Sequence, residues 1–153
     1  MSRRLRSAAT NELLAEARGL SGDFDRLSQA VGEHVSLSPT ELLAMDLVST
    51  AGSLSAGQLA RELRLTTGAI TGLVDRLEKA GFAKRVADPD DRRRVLVTAT
   101  SKERKIGELY APLAVGLRRL IDQYSDRDLA TLTDFIRRFR SAVAETAAKL
   151  PPA

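Results

Sequence analysis

The segment from residue 55 to residue 100 constrains the fold most, because it joins two short helices to a charged hairpin. Ser55 and Gln58 have the spacing of a capping box, which predicts that a helix begins there and ends near Leu63. A three-residue break follows, and a second helix is predicted over 67–81, where apolar residues recur every three or four positions. Two helices joined by such a short break are typical of a helix-turn-helix.

A hairpin with a basic tip follows the second helix. Residues 82–86 and 95–99 are short apolar runs, and the Asp-Pro-Asp-Asp sequence between them is typical of a turn. The turn continues into three consecutive arginines, Arg92, Arg93 and Arg94. Their like charges repel one another on an exposed loop but are stabilised beside a phosphate backbone or in a narrow minor groove. These residues predict a DNA-binding wing, and a salt-bridged surface turn is the alternative.

Long amphipathic helices are predicted on both sides of this segment. Apolar residues recur at spacings of three and four in 8–36 and again in 101–150. Capping-box spacings predict helix starts at Ser38, and at Thr100 with Glu103. The flanking helices carry more apolar surface than the centre can cover, which favours burial against a second copy in a homodimer. An intramolecular bundle is the alternative.

The predicted fold class is therefore mainly α with a small β-hairpin wing. Residues 38–100 form a winged helix-turn-helix core, and the long dimerisation helices of 8–36 and 101–150 flank it within a single domain of residues 1–153. A hydrophobic fraction of 43% and a charged fraction of 29% suit such a globular chain.

Composition narrows the function classes. The chain has no cysteine and one histidine, which excludes a cysteine redox sensor and leaves only carboxylates as further ligands for a metal. We therefore expect no metal and no cofactor, and without a Gly-rich phosphate loop or a catalytic cluster we expect no enzyme. No apolar run approaches the roughly 20 residues needed to span a bilayer, and no secretory signal is recognisable, so we expect a cytoplasmic protein with no membrane partner.

The second predicted helix has the side chains that a major-groove helix requires. Residues 55–94 contain nine basic and six acidic residues, so they hold most of the chain's net charge of +4. Arg76 is long enough to reach a phosphate or a guanine. Small or hydrogen-bonding residues near the helix start are the candidate base and phosphate contacts: Thr66, Thr67, Gly68, Ala69 and Thr71. The alternatives are a plain helix cap for Thr66 and close helix packing for Gly68 and Gly72.

These motifs together resemble the MarR family of bacterial transcription regulators. The resemblance is carried by Leu-Ala-Arg-Glu-Leu from Leu59, Thr-Gly-Ala-Ile-Thr-Gly-Leu-Val-Asp-Arg-Leu-Glu-Lys-Ala-Gly-Phe from Thr67 and Asp-Pro-Asp-Asp-Arg-Arg from Asp88, and it covers essentially the whole chain. It implies a homodimeric winged helix-turn-helix protein that binds a pseudo-palindromic operator in double-stranded DNA, often as a repressor released by a small molecule. It places the family's Asp-x-Arg wing motif on Asp91, which would orient the wing, and on Arg93, which would lie in the minor groove.

The resemblance also implies a small aromatic or phenolic effector, bound between the dimerisation helices and the winged part. His34 falls at the junction of the first two predicted helices, near the expected position of such a pocket, and is a candidate ligand contact. The alternative for His34 is a surface or capping residue. Two other functions remain open, a protein-interaction module and a non-specific architectural DNA-binding module without an effector.

Overall fold

The computed structural model describes residues 3–91 and 94–150 and confirms a mainly helical chain with a small antiparallel sheet. The helices are α1 (Arg3–Val35), α2 (Pro39–Ala51), α3 (Ala56–Leu63), α4 (Thr67–Lys79), α5 (Arg104–Ile121) and α6 (Asp126–Lys149), and the strands are β1 (Leu54–Ser55), β2 (Ala83–Ala87) and β3 (Val95–Ala99). The chain divides into two compact units, Met1–Tyr110 and Ala111–Ala153. In the described ranges, no helix combines the length and the apolarity that crossing a membrane requires.

The capping boxes predicted at the starts of α2 and α3 are confirmed. The Ser38 hydroxyl accepts a hydrogen bond from the Glu41 N–H at 3.3 Å, and the Glu41 carboxylate accepts one from the Ser38 N–H at 2.8 Å. Ser55 and Gln58 make the same reciprocal pair. Each box satisfies two N–H groups that a helix start leaves without partners, which explains why both helices begin where the sequence predicts.

The helix-turn-helix follows from a single residue in the left-handed conformation. Arg64 has a φ of 53° and caps α3, so the chain reverses within three residues and enters α4 at Thr67. At the other end of α4, Gly81 has a φ of 78°, a conformation that glycine adopts without the Cβ clash of other residues.

The predicted hairpin is present, but it belongs to a three-stranded sheet of order β1-β3-β2. Leu54 pairs with Val97 and Ser55 with Leu96, so the two residues before α3 form an edge strand that the hairpin prediction lacked. Two residues are too few for the alternation that identifies a strand, and only pairing with β3 makes them one.

The segment after the wing corrects a second expectation. The predicted capping box of Thr100 with Glu103 is wrong, because the Thr100 hydroxyl accepts from the Lys102 N–H at 3.2 Å and donates to the Gly81 carbonyl at 2.6 Å. A 3₁₀ turn at Ser101–Glu103 therefore precedes α5. The Thr100 hydroxyl ties the exit of the wing to the end of α4.

The core of the first unit lies under α4 and the sheet. Its most buried large side chains are Met45, Val48, Leu59, Ile70, Leu73, Val74, Leu77, Phe82 and Val97. Four of these, spaced three or four residues apart, form the inner face of α4 as the sequence predicts. This burial fixes the rotation of α4 about its own axis.

The second unit has no core among its described residues. Within 111–150 no residue is buried, and only Leu129 and Ala147 are partly so. The apolar stripe predicted for α6 is present but exposed, and it includes Leu132, Phe135, Ile136, Phe139 and Val143. The rings of Phe135 and Phe139 stack with centroids 6.1 Å apart.

Candidate nucleic-acid interface

The outer face of α4 consists of small and hydroxyl-bearing residues. Thr67, Gly68, Ala69 and Thr71 are all exposed, whereas Ile70 between them has no exposed surface. Because the inner face is buried in the core, the outer face of the first turn is the exposed one, and it carries no long side chain. A helix of this kind fits the width of a major groove.

The hydroxyl groups at the start of α4 are partly engaged in the helix. Thr66 caps the helix, since its Oγ1 accepts from the Ala69 N–H at 3.3 Å. The Thr71 hydroxyl donates to the Thr67 carbonyl at 2.9 Å, and its oxygen can still accept a hydrogen bond. Thr66 is thus a cap, as the alternative for it expects, and its O–H remains a donor beside the exposed helix N-terminus.

Neither glycine of α4 lies so close to another part of the described chain that a side chain would be excluded there. A Cβ built on Gly68 would meet no atom within 4 Å, and one built on Gly72 would lie 3.5 Å from Nη1 of Arg76, an ordinary contact with a flexible side chain. Packing within the described chain therefore does not require glycine at position 68. A glycine with open space above it, on the outer face of a helix, suits close approach by a surface from outside the chain.

Arg76 does not extend freely from α4. Its Nε donates to Oε1 of Glu41 in α2 at 2.6 Å, across 35 positions of sequence. The Glu41 side chain is only 7% exposed, whereas the Arg76 side chain is 63% exposed. Arg76 therefore anchors α4 to the start of α2 through its Nε, while its side chain stays largely exposed.

Glu41 is held in its charged form by this arrangement. Burial acts to raise the pKa of Glu41, but the hydrogen bond from the Ser38 backbone and the bond and charge of Arg76 outweigh it and lower the pKa below its usual value. The same carboxylate thus completes the α2 capping box with one oxygen and binds α4 with the other. The sequence predicts its capping role, but nothing local in the sequence predicts its bond to Arg76.

Arg85 of β2 fixes the β2–β3 hairpin, the predicted wing, to α4. Its Nη2 lies 2.8 Å from Oδ1 of Asp75, its Nη1 pairs with Glu78, and its backbone N–H donates to Glu78 at 2.7 Å. Burial acts to lower the pKa of Arg85, but the hydrogen bonds and charges of Asp75 and Glu78 outweigh it and raise the pKa, so the group stays cationic. Sequence analysis missed this triad; the only local signal is the three-residue spacing of the two acids on one helix face.

The base of the wing is closed by Asp88 and Arg94. The backbone N–H of Asp88 donates to the Arg94 carbonyl at 3.0 Å, and the Arg94 N–H donates to the Asp91 carbonyl at 2.8 Å. The nearly buried Asp88 carboxylate accepts from the Asp90 N–H at 2.9 Å and lies 3.8 Å from Nε of Arg94, whose side chain is half exposed. Arg92 and Arg93 lie outside the described residues. The part of the turn that is described has the hydrogen bonds of a defined loop.

A cavity of about 480 Å³ lies in the first unit, away from this surface. It is lined by Phe24 and Ser28 of α1, by six residues of α2, and by residues of the 3₁₀ turn and α5 up to Tyr110. His34 is not among the lining residues. It is exposed at the end of α1, with its Nδ1 3.1 Å from the Ala30 carbonyl.

Known proteins share this architecture. A model of the MarR family matches residues 37–95, from the residue before the α2 cap to the start of β3. Over 123 residues the chain is 37% identical to YcgE, an uncharacterised HTH-type transcriptional regulator of Bacillus subtilis (strain 168), and the match covers 80% of each chain. Two solved structures are also similar. A MarR family protein from Bacillus stearothermophilus has a TM-score of 0.68 at 22% identity, covering 94% of this chain and 99% of that one. A MarR-like transcriptional regulator from Thermotoga maritima has a TM-score of 0.63 at 29% identity, covering 86% and 96%. The chain therefore belongs to the MarR family of winged-helix, DNA-binding transcription regulators.

Proposed function

We propose that this protein is a homodimeric repressor that binds a pseudo-palindromic operator and is released from it by a small molecule. The observation that carries the DNA-binding geometry is the outer face of α4, where Gly68 has open space above it and the inner face is locked in the core. In this proposal α4 enters the major groove. The wing, fixed to α4 by Arg85, brings Arg92, Arg93 and Arg94 to the flanking minor groove.

The exposed apolar stripe of α6 supports the homodimer. Ile136 and Val143 are 55% and 54% exposed, and every large apolar residue of the stripe between 132 and 143 is more than 40% exposed. A contiguous apolar face of this extent is costly in water, and a second copy of the chain would cover it with an identical face. A two-fold protein also matches the two half-sites of a pseudo-palindrome.

The position of the cavity supports release by a small molecule. Its volume of about 480 Å³ lies within the range of small-molecule sites, and α2 supplies half of the lining residues. The same helix holds Arg76 of α4 through Glu41, so a ligand that shifts α2 would act on α4 through a direct ion pair. This ion pair supports a coupling between the helix that lines the cavity and the helix proposed to enter the major groove.

Selection of bound DNA from a pool of random duplexes tests the DNA-binding part of this proposal. We expect an enriched inverted repeat whose half-sites are about one helical turn apart. Binding that falls smoothly with salt and enriches no sequence would instead indicate a non-specific architectural protein. No binding even at low salt would contradict the proposal and favour a protein-interaction module.

Analytical ultracentrifugation of α6 variants tests the homodimer. We expect the wild type to sediment as a dimer and Phe139→Asp to sediment as a monomer that binds operator weakly. Ser141→Asp is the matched control, because Ser141 is exposed and lies half a helix circumference away from Phe139 and Val143. A wild-type monomer, or a Phe139→Asp variant that remains dimeric, would refute this interface.

A further inference from the structure

We infer that the cavity of the first unit binds a lipophilic cation, such as an aromatic amine in its ammonium form, in preference to an aromatic carboxylate. This inference rests on the proposed role of a small-molecule effector and names its chemical class. It departs from the phenolic or acidic aromatic effector that resemblance to the family implies.

The lining of the cavity is mostly apolar, and its charged residues are both acidic. Its apolar wall includes Leu42, Met45 and Ile106, and its charged lining residues are Asp46 and Glu103. No lysine, arginine or histidine lines it in the described part of the chain. An apolar site with carboxylates and no counter-ion attracts a cation and repels an anion.

Neither acidic side chain of the lining is in an ion pair with a neighbouring group in the described part of the chain, although Arg104 and Lys105 directly follow Glu103 in the sequence. Within residues 3–91 and 94–150, neither the Asp46 nor the Glu103 side chain has a hydrogen bond or an ion pair. The helix that carries Asp46 contains no basic residue. The lysine next to Glu103 is engaged elsewhere, because the Lys102 ammonium donates to the Ala80 carbonyl at 2.7 Å and lies 4.5 Å from the centre of the Phe82 ring. Both charges are therefore available to a ligand.

Two aromatic residues that line the cavity would also attract a cation. Phe24 and Tyr110 both line the cavity, and the face of an aromatic ring attracts an ammonium group. The Tyr110 hydroxyl donates to Ser28 at 3.4 Å, which connects α5 to α1 across the site. The apolar wall, the aromatic rings and the two carboxylates together fit an aromatic body that carries a positive charge.

Calorimetric titration with three probes of one shape tests this inference on the intact protein without DNA. The probes are naphthylmethylammonium, naphthylmethanol and naphthoate, which differ mainly in charge. We expect the ammonium probe to bind about tenfold more tightly than the alcohol, and naphthoate to bind most weakly. Tighter binding of naphthoate, equal binding of all three, or binding of none would overturn the inference.

Variants that neutralise the two carboxylates test whether the preference for the ammonium probe arises at this cavity. Asp46→Asn and Glu103→Gln keep the shape of the lining, and we expect each to reduce the preference for the ammonium probe, and the double variant to abolish it. Glu108→Gln is the matched control, since Glu108 is exposed on α5 next to a lining residue but does not line the cavity. An unchanged preference in the double variant would overturn the assignment to this cavity.

A parallel measurement separates this inference from the proposed repressor function. Operator release by each probe is followed by fluorescence anisotropy of labelled DNA. Ammonium-selective binding that leaves the operator bound would confirm the ligand class and contradict release by an effector. Loss of selectivity with operator binding intact would overturn the ligand class alone.

Discussion

Neutralising Glu41 should weaken both the fold and the coupling of α2 to α4. The carboxylate accepts from the Ser38 N–H at 2.8 Å and from Arg76 at 2.6 Å, so it satisfies a helix start and an interhelical bond together. In Glu41→Gln the shape is kept, but the negative charge is lost and an NH2 group, which cannot accept, replaces one of the two acceptor oxygens. The variant therefore removes the charge and one hydrogen bond while it keeps the packing.

The size of the effect follows from the exposure of the two partners. A hydrogen bond to a charged group contributes about 1.5–3 kcal/mol. Arg76 is 63% exposed and regains hydration when the bond weakens, and glutamine avoids the desolvation cost of a buried carboxylate. Both terms reduce the loss, so we expect Glu41→Gln to lower the free energy of unfolding by about 1 kcal/mol at neutral pH.

The pH dependence of this difference is the sharper measurement. The folded pKa of Glu41 is lowered, so its stabilising effect is fully present above the unfolded value of about 4.3 and is lost as the pH falls through the folded pKa. Urea unfolding of wild type and variant at one fixed protein concentration, between neutral pH and about pH 3, should show the gap closing at the acid end. A gap that is absent at neutral pH, or that stays constant with pH, would refute this account of Glu41.

A double-mutant cycle with Arg76→Gln assigns the effect to the pair. We expect a coupling free energy of about 0.5–1.5 kcal/mol, because groups in direct contact are not additive. Additive losses would mean that the two residues act separately.

Operator binding by the same variants distinguishes two roles of Arg76. If it only positions α4, Glu41→Gln weakens binding as much as Arg76→Gln does, whereas a direct phosphate contact makes Arg76→Gln alone reduce the salt slope.

Three further predictions concern the DNA-binding surface. Gly68→Ala should stabilise α4 by about 0.5–1 kcal/mol but weaken operator binding, and Gly68→Leu should keep the fold and block binding in a mobility-shift assay; normal binding by the leucine variant would contradict the major-groove placement of this face. Arg85→Gln should release β2 from Asp75 and Glu78, weakening operator binding with little change in its salt slope, and an unaffected affinity would show that the triad does not position the wing. Arg93→Ala should cost about 1–3 kcal/mol per half-site and reduce the salt slope by about one unit, and an unchanged affinity and slope would count against the wing assignment.

Features that depend on neighbouring residues are the ones that the sequence predicts well. The boxes at Ser38 and Ser55 join residues only three positions apart, so their hydrogen bonds form within the first turn of each helix. The inner face of α4 is equally local, because a repeat of three and four residues places Ile70 and Leu77 on one side whatever they pack against. The helix-turn-helix and the wing follow from these patterns.

One expectation failed and one strand was missed where the contacts join residues distant in sequence. Thr100 has the spacing of a capping box, but its hydroxyl accepts from the Lys102 N–H and donates to the Gly81 carbonyl, 19 positions earlier, and a 3₁₀ turn precedes α5. Leu54 and Ser55 lack a strand pattern of their own, yet β3 offers hydrogen bonds that make them an edge strand. In both cases the deciding group is adjacent only after the sheet has formed.

The sequence by itself thus determined the helices, the wing, the excess of positive charge and the membership of a DNA-binding class. The tertiary structure alone decided which charged side chains form ion pairs and which line the cavity. Arg76 and Arg85 are equivalent cations in the sequence, but folding bonds one to Glu41, 35 positions away, and encloses the other between two acids of α4. Folding also collects Asp46 and Glu103 at one apolar cavity, where neither forms an ion pair with the rest of the described chain. Such pairings depend on distances between elements, and a linear pattern records only the spacing within them.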